Sequence, residues 1–284
     1  MPQELSAILE YLLSAALGTI AQIFLLLGPG LLLVALASLL SFFVATRAAG
    51  VLGEWLYLAL FGRIGTPVHE LGHAMFNVMF GHQIVEFQPF KVDRANGSYG
   101  QVLFRFNRHS LYQRIGLFFV GIGPILFGTL IIYLAALLLL PGEIDQTIRS
   151  MSADSQTFGS IDGFNALSNS ILEASAKIVA FLFNPENISS WRFWLFVYIA
   201  FAVGSSIRLS SSDIVGARAG FAALVALLFV LNLATLWSGD IVFQAVASIS
   251  RFYVFFYAII IFVIVLNLVM AALLWPIGAL LRGR

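Results

Sequence analysis

The chain has 284 residues, 60% apolar and 10% charged, with a mean hydropathy of +0.96. A soluble domain carries about 25% charged residues, so this composition excludes a soluble globule and, equally, a disordered chain, which needs the opposite balance. Fifteen basic against fourteen acidic residues give a net charge of +1, which gives no footing for nucleic acid. The lack of cysteine excludes disulfides, iron–sulfur clusters and thiolate metal sites.

What is left is an integral membrane protein built from apolar spans. The stretch before the first apolar run carries no Lys or Arg, unlike a signal peptide. Residues 5–20 read as a short helix leading into a first span near 21–45, with a kink expected at Gly28-Pro29-Gly30. Further spans fall near 54–80, 112–140, 191–209, 214–238 and 252–278. The expected fold is therefore an all-α polytopic membrane protein of about six transmembrane helices, one domain over 1–284, with a small β-hairpin near 84–106. No internal repeat is visible, so an inverted-repeat transporter has little support.

Two connections are long. Residues 81–111 carry Lys91, Arg94, Arg105 and Arg108 against Glu86 and Asp93, whereas 141–190 are predominantly acidic. Basic residues near span ends mark the cytoplasmic side. That rule puts 81–111, the turn at 208–218 and Arg282 inside, and 141–190 outside, with Arg47 and Arg63 in mild dissent.

Within 81–111 the runs IVEFQPFKV and YGQVLFRF flank a turn at 93–98 containing Asn96-Gly97, a strong hairpin signal. Pro89 would leave its strand at an edge. The hairpin either lies on the membrane or offers an edge to an extended substrate. In 141–190, Leu167, Ile171, Ala174, Ile178 and Phe181 recur at helical spacing, which predicts an amphipathic helix at the outer interface.

The chemistry is concentrated in the second span, at His69-Glu70-Leu71-Gly72-His73. Residues four apart share one helical face, so both imidazoles can reach one metal ion. Glu70, beside the first ligand, is placed to take a proton from water there. Ionisable residues in an apolar span are costly and mark function; a polar packing cluster is the plainer alternative. Two histidines need a further ligand. The candidates are Asp162, Asp213, Asp240, His82, His109 and several glutamates. Charge topology puts Asp162 and Asp240 on the far side, while His82 and His109 flank the hairpin. Asp213, in Ser210-Ser211-Ser212-Asp213, sits at a cytoplasmic turn that the serines can hold non-helical. It is the expected third ligand; its alternative role is to N-cap the following helix. Gly116, Gly121, Gly123-Pro124 and Gly128 punctuate the third span. They suit close packing against the histidine helix, with a part in shaping the cleft.

With these motifs in place, the chain resembles the site-2 protease family of intramembrane zinc metalloproteases. The likeness runs over about 66–127 and again over 205–220. HELGHA followed by FGHQIVEF resembles that family's metal helix and the strand after it, and FFVGIGPILFG its glycine-proline segment. SSSDIVGARAG stands where the family has its third ligand, without the Leu-Asp-Gly or Asn-Pro-Asp-Gly pattern, and Phe127 follows where an Asn would be. The resemblance implies Zn²⁺ held by His69 and His73, Glu70 as catalytic base, and a transmembrane helix of another protein as substrate. The expected setting is the lipid bilayer of a bacterial cytoplasmic membrane. The expected function is an intramembrane zinc endopeptidase. The alternatives are a catalytically silent membrane scaffold of the same fold, or another membrane metalloprotease with a downstream Glu ligand.

Overall fold

The computed structural model describes residues 3–92, 99–140, 184–235, 241–248 and 250–282, with Trp237 and a few single positions between 169 and 180. Four helices are long and apolar enough to cross a bilayer, consistent with a membrane protein. They are α1 (Gln3–Leu52), α4 (Leu111–Leu139), α7 (Ser211–Thr235) and α9 (Ser250–Arg282). In α9 the qualifying stretch is Ile259–Pro276. Leu32, Leu39 and Leu138 are 71, 68 and 78% exposed, a surface suited to lipid and not to water.

The two other expected spans take a different form. Residues 54–79 are helical throughout but change gauge: α2 (Glu54–Tyr57), a π-helical turn (Leu58–Gly62), then α3 (Arg63–Met79), which carries both histidines. The Tyr198 hydroxyl donates to the Leu60 carbonyl inside the π-turn, where the regular ladder is disturbed. The stretch at 191–209 contains only α6 (Trp191–Gly204), 14 residues long, preceded by the single turn α5 (Pro185–Ile188). Between α7 and α9 lies a further short helix, α8 (Ile241–Ser248).

No separate N-terminal helix exists, because α1 runs unbroken for 50 residues with Pro29 inside it. A proline removes one helical hydrogen bond; away from water, ending the helix there would expose several unpaired peptide groups. The chain turns instead at Gly53 (φ 80°) and again at Gly81 (φ 69°), left-handed positions that favour glycine.

The hairpin is present as β1 (Gln83–Gln88) and β2 (Gln101–Arg105), antiparallel, from Gln83 opposite Arg105 to Gln88 opposite Gln101. A bulge lies between Ile84 and Glu86. β1 stops one residue before Pro89, which lacks the N–H to continue the ladder. The expected turn at 93–98, the amphipathic helix on Leu167–Phe181, Asp162 and Asp240 lie outside the described residues.

The core sits between α1, α4, α6 and α9, where Ile125, Ile132, Phe196, Val203 and Val263 are buried. α4 packs on α3, α6 and α7, while α1 packs on α9 and α7. Polar side chains tie the apolar helices together. Asn267 Nδ2 donates to Ser41 Oγ (3.0 Å), whose hydroxyl donates to the Gly204 carbonyl (2.7 Å). Asn232 Nδ2 donates to Thr19 Oγ1 and Gln22 Oε1, both at 2.8 Å.

Candidate metal centre

His69 and His73 project from one face of α3 with ring centroids 5.0 Å apart. Asp213, in the first turn of α7, meets them: one ligand atom from each of His69, His73 and Asp213 lies within 4.8 Å of the others. His73 Nε2 and Asp213 Oδ1 are 3.3 Å apart. Donors bonded to one tetrahedral ion at ~2.0–2.1 Å are about 3.4 Å from each other, so this edge already matches.

Each imidazole is held by its other nitrogen. His69 Nδ1–H donates to the Ser206 carbonyl (2.9 Å) and His73 Nδ1–H to the Val120 carbonyl (2.8 Å). A carbonyl can only accept, so Nδ1 carries a proton, and in the neutral ring Nε2 is the nitrogen left to bind a metal. The His73 Nε2 lone pair then faces the Asp213 carboxylate, and two acceptors so close need a cation between them, a metal ion or a proton. A nitrogen, nitrogen and oxygen donor set of this kind fits a divalent metal ion.

The Val120 carbonyl has a definite origin in the sequence. Its helical partner would be the N–H four residues on, which is Pro124 and has none. The proline thus leaves an acceptor open at the height where His73 arrives. Close approach brings the helices to that height. A Cβ on Gly72 would lie 2.7 Å from the Gly123 carbonyl oxygen and the Pro124 backbone, and one on Gly121 2.6 Å from the Asp213 carbonyl oxygen. Packing and cleft-shaping are both present, since Gly121 also lines the cleft beside the histidines.

Asp213 is not the N-cap; Ser210 is. The Asp213 N–H donates to Ser210 Oγ (3.2 Å), and the Ser210 N–H donates to Asp213 Oδ2 (2.8 Å). This reciprocal pair is a capping box with Asp in the third helical position. The carboxylate divides its work, Oδ2 to the helix start and Oδ1 to His73. The non-helical stretch is therefore 205–210, with Ser211 and Ser212 already in α7. Every N–H in it is bonded: Ser205 to the Phe201 carbonyl, Ser206 to Val203, Ile207 to Gly204, Arg208 to Ser206, Leu209 to Ser38 Oγ and Ser210 to Asp213.

Glu70 is 7% exposed, and lines a cleft of about 1430 Å³ shared with His69, His73 and Asp213. It makes no hydrogen bond or ion pair among the described residues. β2 lies between β1 and this cleft, with Gln101 to Phe104 among the lining residues. Just before β2, a Cβ on Gly100 would meet Glu70 Cγ at 2.8 Å, so the chain entering the strand passes against the Glu70 side chain.

The remaining sequence candidates stand apart from the cluster. His82 is buried with both nitrogens engaged, Nδ1 at Asn77 Oδ1 (2.8 Å) and Nε2 at the Gln113 carbonyl (2.8 Å). It stacks on Phe104 (5.3 Å) and joins α3, the hairpin and α4. His109 is exposed, Glu173 pairs with Lys177 (2.7 Å), and Glu186 is exposed within α5. Sequence reasoning did not find Asn77, whose Nδ2 donates to the His73 carbonyl (3.0 Å) while its Oδ1 holds His82. Nor did it find the Ser206 and Val120 carbonyls, since a backbone acceptor leaves no side-chain signature; Pro124 was the available sign for the second. The chain matches no protein-family model, no curated protein and no solved structure.

Proposed function

We propose that this chain is an intramembrane zinc endopeptidase that cuts peptide bonds of membrane-embedded substrates. The observation that carries the reading is the meeting of His69, His73 and Asp213 beside the buried Glu70, in one cleft bordered by a strand. His69 Nε2, His73 Nε2 and Asp213 Oδ1 would hold the ion. Zinc supplies Lewis acidity for the scissile carbonyl and brings the pKa of water towards ~7. Glu70 accepts the proton of the attacking water and passes it to the departing amine, so that water adds to the carbonyl carbon as the C–N bond breaks. The carbonyls of Val120 and Ser206 hold the imidazoles in the ligating tautomer.

A helical substrate hides its peptide groups in its own hydrogen bonds and must unwind to be cut. β2 is paired with β1 on one side and borders the cleft on the other. That arrangement supports capture of the unwound segment by strand addition. The six-span fold, with the hairpin and the cleft mouth on the cytoplasmic side of a cytoplasmic membrane, belongs to the same reading and rests on the distribution of Lys and Arg.

The test is metal content and cleavage measured together. Purified protein should carry about one zinc per chain, lost in His69→Ala and reduced in Asp213→Ala. Glu70→Gln should keep the zinc and lose cleavage of a membrane substrate by ~10²- to 10⁴-fold, the usual contribution of a general base. Full cleavage by Glu70→Gln, or none by a zinc-loaded wild type, would refute the proposal.

A further inference from the structure

The cleft contains a cation that no hydrogen bond or ion pair answers among the described residues. Arg208 lies in the stretch between α6 and α7, two residues past the Ser206 carbonyl that orients His69, and it lines the same cleft as His69 and Glu70. It is half-buried. Its surroundings fix it there: Ile207 is 3% exposed in the core, and the Leu209 N–H is bonded to Ser38. Among the described residues its guanidinium has no hydrogen bond and no carboxylate within 4.0 Å. Arg47, the other half-buried arginine among the described residues, lies over the Phe43 ring at 5.1 Å, and no such ring contact is found for Arg208 among those residues.

Of the acidic groups that share the cleft, Glu70 forms no ion pair with Arg208 within 4.0 Å, and the other two are engaged elsewhere. Glu54 accepts from the Tyr99 hydroxyl (3.2 Å). The Asp213 oxygens serve the Ser210 N–H and His73. Burial and Glu54 hold the Tyr99 phenol above its ordinary value, and the Arg208 charge opposes that rise. A guanidinium drawn out of water without a counter-charge is costly, and the cost is recovered when an anion arrives. Its planar fork matches a carboxylate, and peptides carry carboxylates.

We infer that Arg208 is a specificity-determining residue of the cleft, receiving a carboxylate of the peptide that lies between β2 and Glu70. The inference rests on the peptidase reading of the site and adds a substrate class to it: segments with an acidic side chain, or a free C-terminus, near the scissile bond. Electrostatically, such a group sits better beside Arg208 than in lipid, so the arginine would also draw an acidic juxtamembrane segment into the cleft.

The experiment uses zinc-loaded full-length protein in detergent micelles and quenched-fluorescence decapeptides blocked at both ends. Gln is replaced by Glu at each position in turn, and one further arm carries a free C-terminal carboxylate. The readout is the ratio of kcat/KM between each acid and its amide. Wild type is expected to favour one acidic arm by about 10- to 100-fold, the scale of a charge-assisted hydrogen bond, and the arm that responds tells side chain from C-terminus. Arg208→Gln should bring that ratio to one, Arg208→Lys should restore part of it, and Arg208→Glu should turn the preference towards Lys at the same position. A ratio unchanged in Arg208→Gln, or no acid preference in wild type, overturns the inference. If wild type cleaves no peptide, the peptidase reading fails by itself. The inference is then decided by anisotropy of the same peptides, fluorescently labelled, on Glu70→Gln protein. Tighter binding of the acid form that Arg208→Gln abolishes sustains it; absent or Arg208-independent binding overturns it.

Discussion

Replacing Gly121 with alanine adds a single methyl group where two helices of the cluster meet. That Cβ would stand 2.6 Å from the Asp213 carbonyl oxygen, 2.7 Å from Ala217 Cβ and 3.1 Å from the Ala217 nitrogen, against an ordinary contact of 3.4 Å or more. The deficit is about 0.8 Å, and the obstructing atoms are backbone or Cβ, which cannot rotate away. A metal site tolerates ligand shifts of roughly 0.2 Å. If α7 yields, Asp213 leaves its place in the proposed zinc site by about four times that margin. If α4 yields, the Val120 carbonyl withdraws from His73. Either displacement should lower zinc affinity by ~10- to 100-fold, as loss of an outer partner does, with an overpacking cost of ~1–3 kcal/mol in stability. Gly216→Ala is the control. It lies on the same helix, with nothing within 4 Å of its added Cβ, and gains about 1 kcal/mol of helix propensity. Chelator competition gives the affinities and thermal unfolding in detergent the stabilities. Wild-type zinc affinity in Gly121→Ala, or an equal loss in Gly216→Ala, would refute the reasoning.

Three further outcomes follow from the same geometry. Pro124→Ala restores an N–H that competes with His73 for the Val120 carbonyl; unfolding should show a more stable protein while zinc titration shows affinity down by ~10-fold or more. Asn77→Ala strands a buried His82 nitrogen and should cost ~1–3 kcal/mol in thermal unfolding, with zinc content nearly intact. Ser210→Ala removes the cap oxygen and should cost ~1 kcal/mol, measured as faster amide exchange over the first turn of α7 than in wild type.

The histidine pair was legible because a four-residue spacing fixes a shared helical face whatever the tertiary structure. Asp213 was reached by eliminating other ligands on charge topology, and the structure brings it to His73. The two roles weighed for it, cap and ligand, do not compete, because a carboxylate has two oxygens and the serine three residues earlier takes the capping position. Other features were hidden. An apolar stretch reads the same whether its ladder is α or π, so the change of gauge at Leu58–Gly62 left no trace in composition. The separate short helix expected over 5–20 is part of α1, which also continues through the expected kink site Gly28-Pro29-Gly30, because an apolar setting offers no better place for its peptide groups. Gly121 and Gly123 announced close packing on the histidine helix; Gly123 does meet Gly72 there, whereas Gly121 meets Asp213 and Ala217 of α7, which its own sequence does not indicate.

The brevity of α6 has a mechanical consequence. Fourteen residues rise about 21 Å, roughly two-thirds of a ~30 Å hydrocarbon layer. A segment that stops so far short draws headgroups and solvent inward at its end, and its end is where the polar run 205–210 borders the histidines. Under the proposed membrane setting the slab would be dimpled over the candidate metal centre. Water, which every surrounding acyl chain would keep away, would then have only a short distance left to travel.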